Sequence, residues 1–258
     1  MTPTPTDSRP PIPAADVRSL LCQIGSDVGL VGGQALSIWA EHYADVEPEL
    51  ANYGPYTSRD VDFRASRADV EKCADRLGTR PDYAAGKAFG SIIEAVITFR
   101  DSTDEERTIE FLRSVKGLTP QEVQSTAVEI ELEKARIRVM HPVLVLVSRA
   151  TNVIKLKEKY DNEHGVEQLR VAVFCARAFL KEAMQAGEGR LALSWAERAY
   201  RLIKSQVGIR VHVEKQIDLL QAIPLEHMPE KFRSTRYPQM VVQANALREK
   251  KTKVAKRS

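Results

Sequence analysis

The spacing of apolar residues divides the chain into an amino-terminal part with mixed periodicity and a carboxy-terminal part with helical periodicity. Alternating positions or short apolar runs predict strands at 29–31, 60–64, 90–99, 107–112, 127–132 and 136–140. Apolar residues three or four positions apart predict helices at 16–27, 34–43, 67–77, 143–157, 163–186, 190–206 and 210–221. The pattern therefore indicates an α+β protein, with a mixed sheet and flanking helices followed by a helical bundle.

Composition shifts predict four segments along the chain. Residues 1–13 are rich in proline and predict a flexible lead-in, and 14–140 hold the sheet. Residues 141–245 form the helical domain, which starts where His141-Pro142 interrupts the last strand. The segment 246–258 has six basic residues and one acid, Glu249, so its charge is +5, whereas the whole chain carries +3. This excess of basic residues predicts a flexible basic tail. Such a tail either stays solvated or adds nonspecific affinity for nucleic acid.

The composition is that of a globular protein without membrane segments. The 258 residues are 43% hydrophobic and 28% charged, and no apolar run approaches the roughly 20 residues of a membrane span. The amino terminus lacks a signal-peptide pattern, so a cytoplasmic protein is expected. Three widely separated cysteines without a CxxC pair predict reduced thiols rather than a zinc site or disulfides.

Candidate chemistry is concentrated in two short motifs. Asp60 and Asp62 lie two positions apart on a predicted strand, so their carboxylates share one face and repel each other unless a cation intervenes. Mg²⁺ or Mn²⁺ would answer that need and commonly accompanies phosphates. Gly32-Gly33 at a strand-to-helix turn would let backbone N–H groups approach a triphosphate. The competing interpretations are a solvated acidic pair and an ordinary turn.

In order and context, these motifs resemble those of the nucleotidyltransferase superfamily, the polymerase-beta-like fold. The resemblance covers about residues 15–115 and is greatest to the abortive-infection and type IV toxin branch. The residues that carry it are Leu30-Val31-Gly32-Gly33-Gln34-Ala35-Leu36 and Ser58-Arg59-Asp60-Val61-Asp62-Phe63. The resemblance implies a nucleotidyltransferase-like domain at 14–140, with the helical domain forming the far wall of a cleft.

The resemblance also implies roles for particular residues. Asp60, Asp62 and a third acid on a neighbouring strand would bind metal and act in catalysis. Glu110 is the candidate for the third acid, although the family more often has aspartate there, and Glu94 is the alternative. The nucleotide would be contacted by Gly32, Gly33, Gln34, Ser58 and a basic residue, for which Lys157 is a candidate against a solvated helix face.

The implied function is Mg²⁺-dependent transfer of a nucleoside monophosphate from an NTP to RNA, a protein or a small molecule. A toxin–antitoxin or phage-defence role, with an antitoxin as partner, follows from the same branch of the superfamily. The alternative is a binding or regulatory module that keeps the fold without catalysis. Two departures from the family pattern favour this alternative: the third acid is a glutamate, Glu110, and the separation of 27 positions between Gly33 and Asp60 is longer than the family usually has. Phosphate-loop, dinucleotide, zinc-protease and serine-hydrolase motifs do not occur in the sequence.

Overall fold

A computed structural model describes residues 10–54, 56, 58–84, 91–132, 135–156, 160 and 162–255. These residues divide into two compact units. The first unit falls within Met1–Ser37, Thr57–Val115 and Thr119–Met140, and the second within Ile38–Tyr56, Lys116–Leu118 and His141–Ser258. The change at Met140 coincides with the predicted domain boundary, whereas the assignment of 38–56 to the second unit was not predicted.

The first unit is built on one mixed six-stranded sheet. Its strands are β1 (Gly29–Val31), β2 (Val61–Arg64), β3 (Ile93–Arg100), β4 (Glu106–Leu112), β5 (Val128–Leu132) and β6 (Ala135–Val139). They are ordered β3-β4-β2-β1-β6-β5, with β2–β4 and β1–β6 parallel and the other neighbours antiparallel. All six predicted strands are confirmed, with ends shifted by at most three residues, and so is the α+β class.

Alternation along the strands gives the sheet one apolar and one polar face. Leu30, Phe63 and Phe111 are buried at 1% exposure or less, and the two phenylalanine rings stack with centroids 5.9 Å apart. Helix α1 (Ala14–Ile24) and helix α3 (Arg67–Leu77) add further buried apolar side chains. A capping box begins α3, because Ser66 and Asp69 bind each other's backbone N–H groups.

The predicted flexible lead-in is wrong for residues 10–13, the part of it that the structure describes. The Ile12 side chain is buried, and its backbone N–H donates to the carbonyl of Ser58 at 3.1 Å. The guanidinium of Arg107 is fully buried, forms an ion pair with Asp101 at 2.7 Å and donates to the carbonyl of Pro10 at 2.6 Å. A buried arginine has more N–H donors than one carboxylate can accept. The backbone of residues 10–13 supplies a further acceptor and is held in place by this bond. Residues 1–9 of the lead-in lie outside the described residues.

Most of the remaining helices lie in the second unit. Helix α2 (Gly32–Tyr43) begins in the first unit and ends in the second, and the short α4 (Pro120–Ser125), which was not predicted, is in the first. The second unit contains α5 (Pro142–Lys155), α6 (Glu163–Gln185), α7 (Gly189–Ile203), α8 (Gln206–Lys215) and α9 (Tyr237–Ala255). Within the described residues, no helix is both long and apolar enough to cross a membrane.

The ends of two predicted segments differ from the structure. The helix predicted at 210–221 stops at Lys215, because Gln216 adopts a left-handed conformation with φ of 55°. The flexible tail predicted at 246–258 is wrong up to Ala255, because α9 continues to that residue. The helix is tied down by Arg248, which is largely buried and pairs with Asp218 at 2.7 Å. The last three residues lie outside the described part of the chain.

The segment predicted as a loop at 44–57 contains a 3₁₀ turn at Pro48–Asn52, which is fixed to α6. Arg177 of α6 binds Glu47 through two guanidinium nitrogens and Glu49 through one, at distances up to 2.8 Å. Leu50, which directly follows Glu49, is fully buried. The segment is therefore an integral part of the second unit.

A buried histidine caps the first helix of the second unit after the sheet. His141 is 3% exposed, and its Nδ1 accepts from the backbone N–H of Val143 at 3.2 Å. Its ring stacks on Trp195 with centroids 3.5 Å apart and meets the Phe179 ring edge-on. Burial among these rings lowers the pKa of His141 to about 3.

The buried His141 is expected to make the protein acid-sensitive. The unfolded chain takes up a proton at a pKa near 6.5, whereas the folded protein resists it until about pH 3. Stability is therefore lost as pH falls below 6.5, by roughly 2–3 kcal/mol between pH 7 and 4.5. Urea unfolding at the two pH values should show this loss in the native protein and in His164→Ala, and a smaller one in His141→Phe. An equal loss in His141→Phe would contradict the assignment.

Candidate active site

A glycine at the end of β1 lets the chain pass directly beside a carboxylate. Gly32 follows the last residue of β1, Val31, which lies in register with Asp62 on β2. Gly32 has φ of 68°, a conformation that disfavours every residue with a Cβ. A Cβ placed there would lie 1.9 Å from Asp62 Oδ2. Both the backbone and the carboxylate therefore require glycine at the point where α2 begins.

The three predicted acids belong to two neighbouring parallel strands. Asp62 of β2 is the register partner of Glu110 of β4, so their Cα atoms lie about 4.8 Å apart and their side chains leave the same face. Asp60 directly precedes β2, and its Oδ1 accepts from the hydroxyl of Thr108 at 3.3 Å. Thr108 lies two residues before Glu110 and thus on the same face. The structure therefore brings Asp60, Asp62 and Glu110 to one side of the sheet.

The acids also interact electrostatically. The pKa of Glu110 is raised, first because the side chain is partly buried and second because the negative charge of Asp60 is close. Asp60 binds Thr108, which lies two residues before Glu110 on the same face, so the two carboxylates face each other's charge across this part of the sheet. A cation bound between them would remove that repulsion.

The donor atoms of this cluster fit a hard divalent cation. Carboxylate oxygens are the ligands that Mg²⁺ prefers, and Asp60, Asp62 and Glu110 offer six of them. Across the described residues, however, no group of three or more His, Cys, Asp or Glu side chains is already arranged to hold a metal ion. Binding a cation here would therefore require the carboxylates to rotate toward a common point.

The alternative third acid is engaged elsewhere. Glu94 lies on β3 and its carboxylate forms an ion pair with the guanidinium of Arg113. An arginine partner neutralises the charge that a metal ligand would need. The geometry thus favours Glu110 over Glu94 as the third member of the cluster.

Of the other predicted site residues, Gln34 and Ser58 support the turn before Asp60, Gly33 lies in the first turn of α2, and Lys157 lies outside the described residues. Gln34 is 4% exposed, and its Nε2 donates to the carbonyl of Ser58 at 3.4 Å. The Ser58 hydroxyl donates to the backbone carbonyl of Asp60 at 3.2 Å. The carbonyl of Gly33 accepts from the hydroxyl of Ser37 within α2. Lys157 is not among the described residues.

Two residues on the acidic face were missed by the sequence reasoning. Thr108 binds Asp60, and strand alternation from Glu110 would have placed it on the same face. Arg64 follows Asp62 by two positions and shares its face by the same rule. Their side chains were not considered because neither belongs to a recognised motif.

Comparison with known proteins gives weak matches only. No protein-family profile matches the chain, and neither does any curated protein sequence. An antigenic nucleotidyltransferase-like protein from Paracoccidioides brasiliensis aligns over 72% of this chain and 95% of its own, with 11% identity and a TM-score of 0.40. JHP933 from Helicobacter pylori aligns over 95% and 96%, with 12% identity and a TM-score of 0.40.

A third solved structure, the Megavirus polyadenylate synthase, aligns over 92% of this chain but 48% of its own length. Its identity is 15% and its TM-score 0.36. Similarity at these identities and TM-scores assigns no role to any residue of this chain.

Proposed function

We propose that this protein is a Mg²⁺-dependent nucleotidyltransferase that moves a nucleoside monophosphate from an NTP to an acceptor hydroxyl. The observation that carries the proposal is the placement of the Asp62 carboxylate. It lies in register with Glu110 on one side and against the backbone of Gly32 on the other. A carboxylate cluster is thereby joined to the amino terminus of a helix, where phosphates are readily bound.

Each element of the site has a role in this reaction. Asp60, Asp62 and Glu110 would hold Mg²⁺ or Mn²⁺, which when bound neutralises charge on the phosphates and aligns them. The backbone N–H groups at Gly32 and Gly33 would bind the triphosphate at the positive end of α2. Thr108 orients Asp60 through its hydroxyl.

Glu110 is also suited to act as the general base. Partial burial, the first cause of its raised pKa, persists when Asp60 and Asp62 hold a cation, and it makes this carboxylate a better proton acceptor than an exposed one. One carboxylate oxygen would accept the proton of the acceptor hydroxyl while the hydroxyl oxygen attacks the α-phosphorus and pyrophosphate leaves. Positioning and charge neutralisation supply most of the catalysis in such transfers.

The acceptor and the cellular role are finer parts of the proposal. RNA, a protein side chain and a small molecule all present hydroxyl groups that this site could use. The resemblance of the Gly32 and Asp60 motifs to the toxin branch suggests a cytoplasmic toxin or phage-defence protein with an antitoxin partner. Lys157 stays a candidate for the triphosphate contact.

Calorimetric titration with each NTP, with and without Mg²⁺, tests this function. The native protein is expected to bind one NTP in the range of about 1 µM to 1 mM typical of enzyme substrates, and only with Mg²⁺. The double variant Asp60→Asn, Asp62→Asn should lose that binding, because its amides cannot replace two anionic ligands. Glu94→Gln is the matched control, since its carboxylate is paired with Arg113.

A module without catalysis is the second candidate. It is favoured by the finding that, among the described residues, no three metal-ligating side chains already converge. In that case no NTP would bind at millimolar concentration with Mg²⁺ present, although the protein remains folded. That outcome would contradict the proposed enzymatic function and favour a module that binds a macromolecular partner.

A further inference from the structure

A cavity lies on the same face of the sheet as Asp60, Asp62 and Glu110. It has a volume of about 240 Å³, and Gly29, Arg64 and Arg138 contribute to its lining. Gly29 of β1 is the register partner of both Arg64 on β2 and Arg138 on β6, so the two arginines flank a glycine floor. A Cβ added at Gly29 would meet nothing within 4 Å, which shows that the floor is open toward the cavity.

The cavity is a short distance along the sheet from the acids. Arg64 follows Asp62 by two residues on β2, which corresponds to about 6.6 Å. Since strand side chains alternate, both point to the same face. A molecule that occupies the cavity could therefore extend toward the Asp62 carboxylate.

Two arginines, Arg64 and Arg138, bring positive charge to this cavity. The buried Nε of Arg64 has no hydrogen-bond partner in the described part of the chain. Arg138 donates one guanidinium nitrogen to the carbonyl of Gln124 at 2.6 Å, and an arginine carries five N–H donors in all. A buried donor without an acceptor costs about 1–3 kcal/mol, and an anion that contacts the guanidinium would offset part of that cost.

The two acids that line the cavity are already engaged. Asp27 forms an ion pair with Arg76 at 2.6 Å. Asp69 accepts from the backbone N–H and the hydroxyl of Ser66, at 2.9 and 2.7 Å, and so caps α3. Arg76 therefore compensates the charge of Asp27, whereas Asp69 keeps its charge and is stabilised by these hydrogen bonds and by the amino terminus of α3. Both acids are thus expected to repel an anion at Arg64 less than free carboxylates would.

We infer that the cavity between Arg64, Gly29 and Arg138 binds a phosphate group of the acceptor, and this inference rests on the proposed nucleotidyl transfer. The planar fork of arginine matches phosphate oxygens in pairs. A volume of about 240 Å³ is below that of pockets for whole small molecules, so it suits a single phosphate group. The acceptor hydroxyl would then be presented to Glu110 from a fixed anchor.

Titration of the full-length protein with inorganic phosphate tests the site directly. Arg64→Gln should weaken phosphate binding by about 10-fold or more, the value of one charge-assisted hydrogen bond. Gly29→Val should weaken it similarly, because the added side chain fills the floor without removing a charge. Arg136→Gln is the matched control: Arg136 is on the same face of β6, 68% exposed and paired with Glu131, and its loss should leave phosphate binding unchanged.

Two further measurements distinguish the phosphate site from the NTP site, and a phosphate group of the acceptor from free phosphate. Phosphate binding should survive in the Asp60→Asn, Asp62→Asn double variant, even though NTP binding is lost. A 5′-phosphorylated oligoribonucleotide should displace inorganic phosphate, and its dephosphorylated form should do so less well. Native-like phosphate binding in both folded variants, Arg64→Gln and Gly29→Val, would overturn the site. Failure of the oligoribonucleotide to compete would overturn its assignment to the acceptor.

Discussion

Glu110→Gln is expected to reduce nucleotidyl transfer at least about 100-fold, the usual contribution of a general base, without loss of stability. In the native protein, burial and the charge of Asp60 disfavour the Glu110 carboxylate, as its raised pKa shows. A neutral amide of the same size removes that repulsion. The melting temperature measured in EDTA should therefore stay the same or rise. Transfer is measured as pyrophosphate release from the NTP identified by calorimetry, with RNA as the acceptor.

Two further variants make this result specific. Glu110→Asp shortens the side chain but keeps its charge, and it should retain more activity than Glu110→Gln because it keeps an anionic ligand. Glu94→Gln removes a carboxylate from the neighbouring strand and should leave transfer near the native rate. Full activity in Glu110→Gln would show that Glu110 neither binds the metal nor accepts the proton.

Gly32→Ala is expected to destabilise the protein and to abolish Mg²⁺-dependent NTP binding together. The positive φ alone costs an alanine about 1–2 kcal/mol. In addition, the new Cβ would lie 1.9 Å from Asp62 Oδ2, so the carboxylate or the turn must shift. Urea unfolding and calorimetry with the NTP measure the two effects on one protein preparation.

Gly78→Ala separates the two causes. Gly78 ends α3 with φ of 62°, close to that of Gly32, but an added Cβ there meets nothing within 4 Å. It should show the backbone cost of about 1–2 kcal/mol and retain NTP binding. If Gly32→Ala bound the NTP as well as Gly78→Ala does, the close approach to Asp62 would have no part in the site.

The strands and the shared face of Asp60 and Asp62 could be predicted because they depend on local periodicity. Alternation of apolar residues fixes which side chains point together along a strand. The pairing of Asp62 with Glu110 could not be derived in that way, since it depends on β2 and β4 being parallel neighbours in the sheet. Family resemblance suggested the partner, and the register supplied the geometry.

The errors arise where distant charged groups determine local structure. Residues 10–13 were predicted to be flexible because of their prolines, but the guanidinium of Arg107 needs the Pro10 carbonyl. Residues 246–255 have too few apolar positions for a helical pattern, but the pair between Arg248 and Asp218 anchors the helix. Both contacts join groups that are far apart in the sequence, and hydrophobic periodicity carries no information about them.

The connection between the glycine turn and the acidic pair also has an evolutionary consequence. Residues 38–56 pack in the same unit as the helices after His141, held by the bonds from Arg177 to Glu47 and Glu49. A recombination event at Met140 would therefore join residues 38–56 from one parent to the helices after His141 from another. Glu47 and Arg177 are expected to change together among related sequences, so the two halves of this chain should be inherited as one piece.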